Sequence, residues 1–402
     1  MQDDPNRIGY EWAAHSVYPK KANENHFRTT IGNKQCTQPY DASIFNISAM
    51  SYGALSKTAV TSLNKGAQLG HFAHNTGEGG ISEYHLQGGD LIWQIGTGYF
   101  GCRDEEGNFS DELFAEKANY PQVKMIELKL SQGAKPGHGG LLPAEKNTPE
   151  IAKIRSIKPH TAVHSPSAHT AFTDAEGLML FLAKMRKMSN GKPVGFKICI
   201  GRKDEFIEIV EAMFTTGIYP DFITIDGAEG GTGAAPLEFI DYMGMALSDA
   251  IVFVNRTLTQ FGIREHIKLM ASGKIISAFD MAKAMALGAD ACYSARGMMF
   301  ALGCIQALQC DSDKCPVGIA TQDKSLYKGL DITDKSVRVA NFHKNTLKAL
   351  AEFIGACGFT NPRDVKPDVF FRRTAHNSNQ SLSEIYFPNV SQKSKKETIN
   401  LN

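Results

Sequence analysis

The chain has 402 residues, room for one large domain or two ordinary ones. Its formal net charge is +1, so no global field draws it to nucleic acid or to a membrane surface, and no stretch approaches the roughly eighteen consecutive apolar residues of a membrane-spanning helix. The opening residues, MQDDPNRIGYEWAAHSVYP, lack the basic-then-apolar layout of a secretion signal, which leaves the cysteines reduced and the expected location cytoplasmic.

Residues 1–40 read as an N-terminal extension that packs on the main domain, and the chain begins abruptly, as a piece cut from a longer one would. From residue 41 on, short apolar runs recur, several rich in β-branched residues and bounded by turn signals, as buried parallel strands are. In order they are FNISAM (45–50), HFAHN (71–75), VKMIELKL (123–130), TAVHS (161–165), PVGFKICI (193–200), DFITID (221–226), IKLMAS (267–272) and DACYSA (290–295). Helical patterns such as TDAEGLMLFLAKMRKM and AFDMAKAMALGA lie between them. Repeated β-then-α units over residues 41–330 predict an α/β fold of the (β/α)8 TIM-barrel class; a doubly wound open sheet is the alternative. Residues 331–402 read as a helical segment with a solvated basic tail, SQKSKKETINLN.

The glycine-rich segments fall just after the runs: SAMSYGALS, NTGEGGISEYH, SQGAKPGHGG, DGAEGGTGAAP, SGKIIS and ARGMMFALG. In a barrel these are the C-terminal strand ends, where active sites are built. Glycine lets backbone N–H groups approach a ligand closely, and the loops after strands seven and eight are the usual phosphate cradle. That places Ser272, Gly273, Lys274, Ala295, Arg296 and Gly297 as cofactor-binding candidates, with Gly230, Gly231, Thr232 and Gly233 on the preceding loop. Lys197 is a charged residue inside the apolar run GFKICI, a costly position unless it is paired or functional; snorkelling to solvent is the structural alternative. Gln132 and Lys135, flanking Gly133, offer an amide and an ammonium. Asn75, Glu78, Asp226 and Glu229 are polar groups at strand ends, equally suited to ordering loops or to acid–base work. His71 and His74 lack a partner in sequence and read as structural, and Trp12 and Trp93 read as packing residues.

Three of the eight cysteines, Cys304, Cys310 and Cys315, fall in GCIQALQCDSDKCPVGIATQ at C-x5-C-x4-C spacing. Zinc would want a fourth Cys or His near by, and none lies between Gly303 and Gln322. Three thiolates can hold an iron–sulfur cluster with an open corner, or simply pack, as Cys199, Cys292 and Cys357 are expected to do.

Taken together, MSYGALS, NTGEGG, QGAKPGHGG, DGAEGGTGAAPL, the strand-seven turn and the cysteine segment resemble the flavin-binding synthase domain of glutamate synthases, in that family's order over residues 40 to 330. The resemblance implies a barrel holding FMN, with Met50 and Ser51 meeting the ring through the backbone, and a [3Fe–4S] cluster on Cys304, Cys310 and Cys315. It implies reduction of 2-iminoglutarate, formed from 2-oxoglutarate and ammonia, to L-glutamate. Lys197, Gln132 and Glu78 would then be catalytic, Asn75 would help hold the cofactor, and Lys135, His138, His169 and Asp226 would bind substrate. Three departures fall around the oxoacid pocket. GAKPGHGG carries His138 where many members have a glutamate, SPSAHTA keeps His169 but loses an acid, and DGAEGGTG replaces GHDGGTG. Neither the glutaminase segment nor the trailing β-helix of the large family members is legible here, nor is a GxGxxG turn for a dinucleotide. Nitrogen would come from free ammonia, an amine or a glutaminase partner subunit, and electrons from a ferredoxin-like or flavoprotein donor. The alternatives are a subunit of a larger amine- or glutamate-metabolising complex, and an FMN-barrel enzyme for another oxoacid or imine.

Overall fold

In the computed structural model, which describes residues 4–230 and 235–388, eight parallel strands close into a barrel. They are β1 (Phe45–Ile47), β2 (His74–Asn75), β3 (Leu91–Ile95), β4 (Val123–Lys129), β5 (Val194–Ile198), β6 (Phe222–Asp226), β7 (Lys268–Ser272) and β8 (Ala291–Ser294). Each strand pairs with its neighbours in chain order, and β8 returns to β1. The TIM-barrel expectation therefore holds, with two corrections to its strands. TAVHS is not a barrel strand: only Val163–His164 is extended, and it pairs antiparallel with Leu141–Leu142 in a separate ribbon. His164 is exposed there, which a barrel wall would not permit. The missing strand is LIWQI, whose five residues are all buried.

Between the strands run α1 (Lys57–Gly70), α2 (Asp111–Ala118), α3 (Pro149–Arg155), α4 (Ala175–Met188), α5 (Lys203–Thr216), α6 (Leu247–Gln260), α7 (Ala278–Leu287) and α8 (Arg296–Leu302). Five of these eight starts carry a side-chain cap, those of α1, α2, α3, α4 and α7. Ser56 accepts from the Ala59 amide, Asp174 from that of Gly177, and Ser277 forms a reciprocal box with Asp280. No helix separates β2 from β3; the loop that carries NTGEGG takes its place and is largely buried. The long connection from β4 to β5 holds α3 as well as α4, so α3 is an insertion over the C-terminal mouth.

The 25-residue helix α9 (Ile332–Ala356) lies along α1 and α8. Beyond it, Phe370–Ala375 pairs antiparallel with both Ser378–Ser381 and Glu11–Ala13, joining the two ends of the described chain in one small sheet. Glu11 accepts from Arg372 and Lys283 there, at 2.8 and 2.6 Å. Among the described residues no helix is long and apolar enough to cross a membrane.

Candidate active site at the barrel mouth

Strand alternation explains why charged residues converge on the mouth. On β4, Glu127 and Lys129 share one face, and parallel pairing sets Lys129 beside Lys197 of β5, which itself pairs with Thr224 of β6. Both lysines are buried and both are answered by carboxylates. Lys129 Nζ lies 2.8 Å from Glu78 Oε1, and Lys197 Nζ lies 3.5 Å from Asp226 Oδ2. Burial alone would lower the Lys197 pKa, but Asp226, then Glu127 and Glu78, outweigh it and hold the ammonium above its ordinary value. Burial likewise works to raise Glu78, and Lys129, with Arg155 and Lys135, overrides it and keeps the carboxyl ionised below its usual range. At Lys135 burial wins, and its pKa falls.

Arg155, which nothing in the sequence singled out, completes this set from the inserted helix α3. Its guanidinium is buried over the Phe100 ring, 5.1 Å from the centroid. Nη2 donates to the Tyr52 carbonyl at 3.0 Å and reaches Ser51 Oγ at 3.5 Å, while Nε is buried without a hydrogen-bond partner. Burial pulls its pKa down to about 10, against the pull of Glu78. Among the described residues it forms no ion pair within 4.0 Å. Lys129, Lys135, Arg155 and Lys197 thus face Glu78, Asp226 and Glu127, a surplus of positive charge in a largely buried setting. Glu78, Lys129, Gln132 and His138, with Thr97 and Ser167, line the small space between them. A cavity of about 750 Å³ opens at the opposite end of the barrel among Arg28, Tyr40, Asp90, Lys124 and Lys192. The strand-end chemistry is at the other mouth.

The loops around this mouth touch one another. A Cβ on Gly133 would lie 1.8 Å from the Gly227 carbonyl oxygen, so only glycine lets the loops after β4 and β6 meet. The Gly133 amide donates to Asp226 Oδ2 at 3.1 Å, and Ser272 Oγ lies 3.3 Å from Ser48 Oγ. Met50 is buried at the end of β1, with Ser51 half-buried beside it. Gly273 has φ +150°, Lys274 after it is exposed, and Arg296 and Gly297 open α8 with Ala295 just before. Among the described residues neither Lys274 nor Arg296 has an ionic partner, so both remain available to an anionic group. Gly230 closes a turn onto the Gly227 carbonyl; Gly231, Thr232 and Gly233 lie outside the described residues. Glu229 accepts from the Leu247 amide, a helix-capping use of its carboxylate.

Several candidates are committed elsewhere. Asn75 donates to Glu127 at 2.8 Å and accepts from the Gly77 amide at 3.0 Å. His169 is buried, its Nε2–H donating to the Lys129 carbonyl at 2.9 Å and its Nδ1 receiving the Tyr99 hydroxyl at 3.1 Å. The same Tyr99 oxygen accepts from the amides of Thr170 and Ala171. Burial lowers the His169 pKa to about 4. His138 is exposed, its ring edge-on to Phe239. His74 is wholly buried, as a packing histidine would be.

Cys304 and Cys310 are half-buried and Cys315 is buried, all as free thiols. Lys146 Nζ ties their loop down, donating to the carbonyls of Cys310 at 2.7 Å and Ala320 at 3.0 Å. Burial, then the neighbouring Cys304 and Cys315, raise the Cys310 pKa. The donor types suit iron and sulfide, but among the described residues no group of three His, Cys, Asp or Glu side chains converges tightly enough to hold a metal.

Residues 14–360 match the family model described as a conserved region in glutamate synthase. The chain is 41% identical over 367 residues to a glutamate synthase large subunit-like protein, YerD, of Bacillus subtilis, covering 88% of this chain and 70% of that one. It is 35% identical over 357 residues to an archaeal glutamate synthase [NADPH] of Methanocaldococcus jannaschii, covering 88% of this chain and 66% of the relative. Among solved structures it resembles the recombinant flavin-binding domain of baker's yeast flavocytochrome b2, with TM-score 0.54 at 12% identity, covering 90% and 75% of the two chains. A mandelate oxidase variant with benzaldehyde gives TM-score 0.52 at 14% identity, covering 92% and 86%. At such identities the structural likeness shows the barrel fold alone.

Proposed function

The chain belongs to the glutamate synthase family, a family of oxidoreductase enzymes, and from that premise we propose that it reduces 2-iminoglutarate, formed from 2-oxoglutarate and ammonia, to L-glutamate in an FMN-dependent reaction. The observation that carries this reading is the buried, cation-rich mouth in which Arg155 has no ion pair among the described residues. A dicarboxylate would supply the missing counter-charge, with Arg155 and Lys135 as the natural holders of its two ends. Glu78, ionised at neutral pH, is fitted to accept a hydrogen bond from the nitrogen of the protonated imine, whose proton stays on the amine formed, and Gln132 can donate to a carbonyl or carboxylate edge.

FMN, when bound, would supply the hydride that the imine carbon accepts. The residues present suit it: Lys274 and Arg296, without an ionic partner among the described residues, lie beside Gly273 and Gly297 for a phosphate, and the Lys197 ammonium is held charged where negative charge would develop. Cys304, Cys310 and Cys315 carry the donor types for a [3Fe–4S] cluster that would accept electrons from a ferredoxin-like or flavoprotein donor. The thiols would have to draw together to hold it, and it would then carry those electrons toward the flavin. This chain spans 70% and 66% of the first two relatives, so their names do not settle its electron source.

Anaerobically purified protein should release FMN on denaturation. Photoreduced enzyme should be reoxidised on rapid mixing with 2-oxoglutarate plus ammonia, with glutamate accumulating, and Lys197→Ala should slow that step by about 100-fold or more. A protein that takes up no FMN, or one whose reduced form no oxoacid–ammonia pair reoxidises faster than buffer, would overturn the reading. Reoxidation by another oxoacid alone would move the substrate and keep the chemistry.

A further inference from the structure

Glu127 is wholly buried inside the barrel, on the same face of β4 as Lys129 and one layer below it. No cation lies within ion-pair distance of it among the described residues. Its charge is met instead by three neutral donors on three other strands or strand ends. Oε1 accepts from Asn75 Nδ2 at 2.8 Å and from Gln94 Nε2 at 2.7 Å, and Oε2 accepts from Thr224 Oγ1 at 2.5 Å. Three such donors favour the charged form of a carboxylate without cancelling its charge, so its field can reach the layer above. Asn75 passes the contact on, since its Oδ1 accepts from the amide of Gly77, the residue before Glu78.

We propose that Glu127 is a positioning residue for the site: a buried carboxylate beneath the mouth whose field acts on the Lys197 ammonium and which, through Asn75, sets the backbone from which Glu78 projects. The proposal rests on the reductase reading for its kinetic consequence only. The charged groups near Lys197 on the elements packed against it are Asp226 on β6, Glu127 and Lys129 on β4, and Glu78 on the loop after β2, Lys124 of β4 lying at the opposite mouth. Of the carboxylates among them, Glu127 is the one with no cation paired to it. A purely structural carboxylate would need its hydrogen bonds but not its charge, and glutamine separates the two. In Glu127→Gln the amide oxygen can still accept from Asn75 and Gln94, and the amide nitrogen can donate to the Thr224 hydroxyl.

The test labels lysine with 15N and follows the Lys197 ammonium signal against pH, assigned with Lys197→Arg. The midpoint should fall by about one pH unit or more in Glu127→Gln, with the melting temperature little changed at neutral pH. The alkaline limb of turnover should move down by the same amount, while kcat at neutral pH and KM stay within about twofold of the parent. If Glu127→Gln does not fold, the exchange Gln94→Glu with Glu127→Gln keeps one carboxylate and one amide in contact but moves the charge to β3. The Lys197 midpoint should then fall in the same direction by less. A folded variant of either kind whose Lys197 titrates as in the parent would overturn the proposal. The spectroscopic arm needs no turnover. A moved midpoint in a protein that reduces no imine sinks the reductase reading alone, and an unmoved midpoint in a working reductase sinks the role of Glu127 alone.

Discussion

His169 shows how a residue flagged for substrate can be used for support. Its ring joins the Tyr99 hydroxyl to the Lys129 carbonyl, so it fixes the strand end from which the Lys129 ammonium reaches Glu78. Burial holds it neutral down to a pKa of about 4 against an ordinary 6.5. The unfolded chain binds a proton at this residue below pH 6.5 and the native chain does not, so stability is full above 6.5 and declines as pH falls toward 4. The loss from this group is on the order of 3 kcal/mol. His169→Gln should flatten part of the fall in urea midpoint between pH 6.5 and 4; a slope equal to the parent's would mean that the ring is protonated in the native state. Lys197 was legible in the sequence because a lysine inside GFKICI contradicts its surroundings. Glu127 and Lys129 carry the same contradiction in VKMIELKL, and the signal was there to be read. Arg155 gave none, because it belongs to an inserted helix whose docking over the mouth depends on tertiary contacts alone.

At the scale of elements, strand β3 escaped notice because LIWQI is short and carries Gln94 near its end. That glutamine is tolerated by its bond to Glu127, which no local pattern reveals. TAVHS misled for the opposite reason: its composition suits a strand, but it is extended over two residues only and pairs outside the barrel. The six glycine-rich segments were readable as one rim because they follow the strands in order, and the contacts between Gly133, Gly227 and Gly273 bear that placement out. The α1–α9 pair shows a packing constraint that propensity would get wrong. Alanine at Gly66 favours a helix by about 1 kcal/mol, yet a Cβ there would lie 2.5 Å from Val339 Cγ1 and 3.0 Å from the Ser336 carbonyl. Gly66→Ala should therefore destabilise by about 1–3 kcal/mol through overpacking, and adding Val339→Ala should recover part of the loss. Chemical denaturation of both variants decides it, and a stabilised Gly66→Ala would mean that the helices slide apart freely.

Across the whole molecule, two closures have to be made. Strand β8 must return to β1, and Glu11–Ala13 must find Phe370–Arg372. Arg372 follows Glu11 by 361 residues, so at synthesis rates of about 5–20 residues per second the first strand waits roughly 20–70 s for its partner. The molecule carries its own clock for this. Its two tryptophans fall one in the barrel wall and one in the docked ends: Trp93 is buried in β3 and stacked on Phe114, and Trp12 is stacked between Tyr10 and Phe371. Trp12→Phe leaves an emitter that reports the barrel, and Trp93→Phe leaves one that reports the docking of the ends. In stopped-flow refolding the Trp12 signal should lag that of Trp93, because the pairing that spans the most chain is the slowest to be found. A single rate shared by both emitters would mean that the ends are sealed in the same step that closes the barrel, and that the light from either tryptophan dates the birth of the whole fold.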